Sequence, residues 1–203
     1  MAEAIIGLLG VIVGAVMIAA KDIWLEWRKK EESARFLAIR VVSAFDRFVR
    51  GCADVVDDDG LLCGQPDPDG LRQKRVPEPR FDVQDFDVNW KSIPAPVMYD
   101  ILSFPNLVEA ARHRIVGAFE HGDGPPDYQD GFQERQYEFA ELGLRASEIA
   151  DCLRESYGVP RIEHGDWDPV VNLKEAKQRI ETFRAKRHER NQKLWASIPG
   201  NGA

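Results

Sequence analysis

An unbroken apolar run, Ala4 to Ala20 (AIIGLLGVIVGAVMIAA), constrains this chain more than any other feature of its 203 residues. No charge interrupts it, and Lys21-Asp22-Ile23-Trp24-Leu25-Glu26-Trp27-Arg28-Lys29-Lys30 follows directly. As a helix rising about 1.5 Å per residue, the run covers roughly 25 Å, the short end of what a bilayer's hydrocarbon core requires. Lys21 can snorkel, and Ile23, Trp24 and Leu25 lengthen the apolar stretch. Trp24 and Trp27 stand where an aromatic belt meets the headgroups. The expectation is a single transmembrane helix, with residues 1–30 forming the anchor and its basic, aromatic juxtamembrane segment.

Two other readings of the run fit less well. A cleavable signal peptide wants a positive leader and small residues before the cut. Here Glu3 is the only charged side chain ahead of the run, and a cut after Ala20 would leave bulky Ile18 close behind it. A buried core helix is rarely apolar on every face. Lys21, Arg28, Lys29 and Lys30 all lie C-terminal of the span, with no Lys or Arg before it. Positive charge stays inside, so the N-terminus is expected outside and the rest of the chain in the cytoplasm. An odd set of thiols (Cys52, Cys63, Cys152) fits a reducing compartment, and their spacing matches no metal motif. Within the span, Gly10 and Gly14 form a small-xxx-small face that lets two helices approach closely in lipid, so a homo-oligomer through this helix is one expectation.

Behind the anchor the pattern is helical. From Glu31 to about residue 57, Ala38, Val42, Phe45, Val49, Cys52 and Val56 recur at spacings of four and three, widened by Val41, Phe48 and Val55. No Gly or Pro separates this helix from the anchor, so the two form one continuous rod; Asp57-Asp58-Asp59-Gly60 ends it. The stripe is wider than a coiled-coil seam, which favours docking on the chain's own bundle. Residues 58–96 read as a loop rich in Pro and Gly, then an extended arm over Phe81–Trp90 lying across the helices. An EF-hand is excluded, because alignment on Gly60 or Gly70 puts Val55 or Gln65 at the first ligand position.

Residues 97–198 are expected to be helical. The pattern gives a short helix over Val97–Ser103 and another over Asn106–Glu120 with Leu107, Ala110, Ala111, Arg114, Ile115, Ala118 and Phe119 inward. A long helix follows over Asp127–Tyr157 with Phe132, Tyr137 or Gln136, Phe139 and Leu142 inward, stopped by Gly158-Val-Pro160. The last runs from Asn172 as N-cap to Trp195, with Leu173, Ala176, Ile180 and Phe183 inward. Residues 199–203 read as a disordered tail. The sum is an all-α, bundle-like cytoplasmic domain over residues 31–198 with a wrapping arm.

Signals for chemistry are sparse. Glu120-His121-Gly122-Asp123 and Glu163-His164-Gly165-Asp166 are the same four residues, each followed by a proline and a helix. If the loops met, His121, Asp123, His164 and Asp166 would offer four N/O ligands to a divalent metal, the basis of a membrane-tethered hydrolase or sensor. The simpler account is loop chemistry repeated: Gly ends helices, His complements a helix C-terminus and Asp favours turns. No nucleophile elbow or phosphate loop occurs, and Cys52 and Cys152 lie on apolar faces. Arg184, Lys186, Arg187 and Arg190, near Trp195, suit contact with an anionic surface. A net charge of −7 argues against nucleic acid as a partner. The expected function is a membrane-anchored scaffold or subunit of a membrane assembly, partnered by the bilayer and an unidentified protein, with no cofactor and no catalysis evident. The alternatives are the metal-dependent enzyme or sensor and an oligomerising effector that perturbs the bilayer.

Overall fold

A computed structural model describes the backbone of residues 2–83, 86–163, 165 and 167–196, and the side chains of these residues apart from 2–13, 15 and 196. Four helices carry the fold: α1 Ala2–Val56, α2 Ala95–His121, α3 Gln129–Tyr157 and α4 Pro169–Ala196, with a single 3-10 turn at Trp90–Ser92. Among the described residues there is no strand, only an isolated bridge between Leu62 and Gln65. The architecture is an all-α bundle. The expected tail, residues 199–203, lies outside the described residues.

α3 is the hub, packed on α1, α2 and α4. Its inner face is close-set, and Gly143 shows why a glycine stands there. A Cβ on it would lie 2.6 Å from Leu173 Cδ1 of α4 and 2.9 Å from Cys52 Cβ of α1. Three helices thus converge on one residue without a side chain. Against this face α1 buries Ala38, Val42, Phe45, Val49, Cys52 and Val56 with Val41, Phe48 and Val55, the whole expected stripe. Burying side chains of this size stabilises by about 1.5–3 kcal/mol each before the entropy of ordering them is subtracted.

The segment between α1 and α2 is nonhelical until Trp90 but is not a loose loop. Phe81 stacks on Phe45 with ring centroids 4.3 Å apart and meets Phe104 edge-on at 5.0 Å. Phe48 meets Phe104 at 5.2 Å, closing a four-ring cluster drawn from α1, the connecting segment and α2. Val83 is fully buried beside it. Each such ring pair adds about 0.5–1.5 kcal/mol beyond area burial.

Several helical expectations need correction. Ala95–His121 is one helix with Pro105 inside it, not two helices broken at Phe104-Pro105. Pro105 removes one backbone hydrogen bond, at a cost of about 3 kcal/mol. Ile101, Phe104 and Val108, buried on either side of it, hold the helix on the core through that defect. The inward face of α2 is therefore set by Ile101, Phe104, Val108, Ala111 and Ile115, while Leu107 is 45 % exposed. α4 begins at Pro169, where a missing N–H costs nothing. Asp168 accepts the Val170 amide at 2.8 Å, and Asn172 is free to bond Asp57 at 2.9 Å instead of capping. Leu173, Ala176 and Ile180 point inward as expected, but Phe183 is 40 % exposed.

The first half of α1 runs clear of the bundle. Every described side chain from Val16 to Glu32 is exposed, and the core begins at Ala34. Among the described residues, no helix is long and apolar enough to cross a membrane. Residues 2–13 and 15, which make up most of the apolar run, are described by their helical backbone alone.

Candidate functional site

The α1 projection is the first of the expected sites. Gly14 has no atom within 4 Å of a Cβ built on it, and the side-chain surroundings of Gly10 lie outside the described residues. Lys21, Trp24, Trp27, Arg28, Lys29 and Lys30 are all exposed. The Arg28 guanidinium lies 5.5 Å from the Trp24 ring centre and 3.4 Å from Glu32, so this face of the helix carries its own charge pairing. Ile23 and Trp27 present about two thirds of their surface to their surroundings, at 67 % and 71 %.

The repeated Glu-His-Gly-Asp loops sit at opposite ends of α3. The first closes α2 beside the start of α3, where the Asp123 amide donates to Asp130 Oδ2 at 3.4 Å. His121 is exposed, its ring 4.0 Å from Glu120. Glu163 and Gly165 follow the far end of α3; Arg161 turns back to Asp151 at 3.1 Å, and Gly165 lines a cavity with Ser147 and Lys174. A helix of the length of α3 spans about 43 Å, whereas metal ligands stand within about 2.6 Å of their ion. The described parts of the two loops do not converge. His164 and Asp166 lie outside the described residues. Among the described residues no cluster of three or more His, Cys, Asp or Glu is arranged to hold a metal.

The basic end of α4 is partly committed to the fold. Arg184 reaches Glu134 at 2.6 Å and lies over the Tyr137 ring at 4.6 Å. Arg187 grips Asp130 with both terminal nitrogens, the longer contact being 3.2 Å. That hydrogen bond holds the Asp130 carboxyl below its ordinary range and pushes the Arg187 guanidinium up. Only Lys186 and Arg190 of the expected surface cations point away without such a partner among the described residues. The thiols also divide: Cys52 is buried, which raises its pKa well above the ordinary value, whereas Cys152 is exposed rather than buried.

Sequence reasoning missed the most buried polar group in the molecule. Arg135 has no exposure, and it lies on the inward face of α3 between Phe132 and Phe139, at the place expected of Tyr137 or Gln136. Its Nη1 donates to Asp58 Oδ2 at 2.9 Å and its Nη2 to the Val76 carbonyl at 2.6 Å. Asp58 also accepts the backbone amides of Gly60, Arg75 and Val76 at 2.9–3.0 Å. Burial alone would raise its pKa; the three amides and Arg135 outweigh burial and hold the carboxyl below its ordinary range. The signal available was a charged residue in an apolar stripe, which requires a buried partner.

Around Arg135 the connecting segment builds a cationic cavity of about 530 Å³, lined by Lys74, Arg75, Arg80, Arg112 and Arg135 together with Glu78. A second cavity of about 430 Å³ lies between α2 and α3, floored by Leu107, Ala110 and Leu144 and rimmed by the Arg114–Glu138 pair. Protein-family models, curated proteins and solved structures were all compared with the chain, and none matches.

Proposed function

We propose that this protein is a membrane-anchored helical interaction module, a scaffold or subunit of a membrane assembly, with its helical domain in the cytoplasm. The observation that carries the reading is the division of α1. One continuous helix serves as the spine of the core from Ala34 to Val56 and, before that, projects with Ile23, Trp24 and Trp27 exposed. Exposed apolar and aromatic side chains on a projecting helix need a bilayer or another helix to cover them. The apolar run Ala4–Ala20 supplies a span of the required kind, and the basic residues behind it set its direction. The unbroken helix fixes the domain against the membrane surface, which raises its local concentration for whatever it binds there.

The test uses the full-length chain in cells. Membranes are extracted at alkaline pH, and sealed vesicles are treated with an impermeant maleimide that reads the exposed thiols Cys63 and Cys152. Retention in the pellet, with labelling of right-side-out vesicles only after permeabilisation, is the expected result. Release by alkali overturns the anchor, and labelling of intact vesicles overturns the orientation.

A further inference from the structure

We propose that the cavity between the 74–80 segment and helices α2 and α3 is a binding site for a phosphate-bearing anion, held by Arg75 and Arg80 in front of the buried, Asp58-paired Arg135. The inference does not depend on the membrane anchor.

In a chain with a net charge of −7, five cationic side chains line one cavity with a single carboxylate, Glu78. The acids close by are accounted for. Glu78 bonds Arg112 at 3.2 Å and reaches Lys74 at 4.0 Å, Glu109 takes the other side of Arg112 at 3.2 Å, and Asp58 is spent on Arg135. Arg75 and Arg80 are exposed and make no ion pair among the described residues, although Asp82 stands close to Arg80 in sequence. Two uncommitted guanidinium groups thus flank the opening.

The second observation is independent of surface charge. Arg135 is fully buried and forms part of the cavity wall, and its Nε, like those of Arg72 and Arg154 elsewhere, has no hydrogen-bond partner. A buried donor left unpaired carries the full penalty of its lost hydration. The other two nitrogens are held by Asp58 and the Val76 carbonyl, so the guanidinium is fixed in direction before any ligand arrives. Arginines in this arrangement suit the tetrahedral oxygens of phosphate, which accept paired N–H groups. The volume admits a phosphate with a small organic group attached. A soluble phosphate and a lipid phosphomonoester headgroup present the same chemistry to these residues.

The experiment is calorimetric titration of the full-length chain in zwitterionic detergent at fixed ionic strength. One arm uses inorganic phosphate and the other a short-chain phosphatidic acid, with short-chain phosphatidylcholine, zwitterionic and without a phosphomonoester, as the control. The comparison protein is Arg75→Gln/Arg80→Gln, whose altered side chains are exposed and outside the core. Saturable binding of phosphate, weakened about tenfold or more in the variant, supports the site with a soluble ligand. Saturable binding of phosphatidic acid alone, weakened in the same way, supports it with a lipid source. Absence of saturable binding in both arms, or binding unchanged by the double substitution, overturns the proposal. The variant's thermal unfolding is recorded alongside; if it is destabilised, Lys74→Gln replaces it as the test of the same wall.

Discussion

Asp58 and Arg135 meet at 2.9 Å with their side chains 2 % and 0 % exposed, joining the end of α1 to the second turn of α3 across 77 positions of sequence. The pair anchors the connecting segment as well, because Asp58 also accepts the Arg75 and Val76 amides while Arg135 donates to the Val76 carbonyl. Removing one side of such a pair strands a buried charge. Asp58→Ala and Arg135→Met are each expected to lower unfolding free energy by about 3–5 kcal/mol. The double substitution should cost clearly less than the sum, since no charge is then left alone. Urea unfolding of the four proteins measures this coupling, and strictly additive losses would refute the pairing.

Acid should loosen the fold through two carboxylates. Asp58 and Asp130 both have pKa values lowered by folding, the first by backbone amides and Arg135 against the opposing effect of burial, the second chiefly by its hydrogen bond to Arg187. A carboxyl with a lower folded than unfolded pKa stabilises fully above the unfolded value, about 3.9, and loses that contribution as pH falls through the folded value. Lys177 has the opposite shift, raised by Glu141, so its contribution is complete throughout the acid range. The urea midpoint is therefore expected to hold between pH 7 and 5 and to drop below about pH 4. Asp130→Asn should flatten that drop, and a midpoint that rises on acidification contradicts the assignment.

The helices were legible where one apolar stripe repeated without interruption. α1 from Ala38 to Val56 is such a case, since nothing on that face is polar and Gly51 does not interrupt its period. α2 was misread because Pro105 is a local breaker, whereas the burial of Phe104 and Ile101 that overrides it depends on Phe45, Phe48 and Phe81 far away in sequence. Arg135 was invisible for the same reason. A lone arginine in a stripe looks like an error of phase until its partner Asp58, buried just beyond α1, is brought beside it. The twin Glu-His-Gly-Asp loops failed in the opposite direction: matching residues gave a pattern, and only the length of α3 between them shows how far apart their described parts stand. The cationic cavity combines residues from three segments, and no local spacing announces it.

Glycines offer a contrast within one fold. Gly143→Val would drive its side chain into Leu173 and Cys52, and overpacking of this kind costs about 1–3 kcal/mol, offset only by the few tenths that valine gains over glycine in helix propensity. Gly117, inside α2, has no atom within 4 Å of a Cβ. Gly117→Ala should stabilise by up to about 1 kcal/mol through the helix propensity of alanine. Thermal unfolding of the two variants beside the parent checks the pair. Equal responses would mean that the convergence of α1, α3 and α4 on Gly143 is not as close as 2.6 Å implies.

The anchor makes a prediction of its own. If residues 4–20 span a bilayer, Gly10 and Gly14 form the face by which two such helices would pack, and Gly14 has open space around its Cα for that approach. Gly14→Leu is then expected to convert a dimer or larger assembly in lipid into a monomer, while the bundle from Ala34 onward keeps its unfolding temperature, because no core residue touches Gly14. Fluorescence energy transfer between labelled copies of the full chain in liposomes reports the first, and thermal unfolding in detergent the second. Ala15→Leu, one position round the helix, serves as the control for bulk alone. Loss of transfer in the Gly14 variant with retention in the control identifies a helix face. Equal transfer in all three proteins would show that the projecting helix associates, if at all, through Trp24, Trp27 and their neighbours, and would remove the small-residue face from the account.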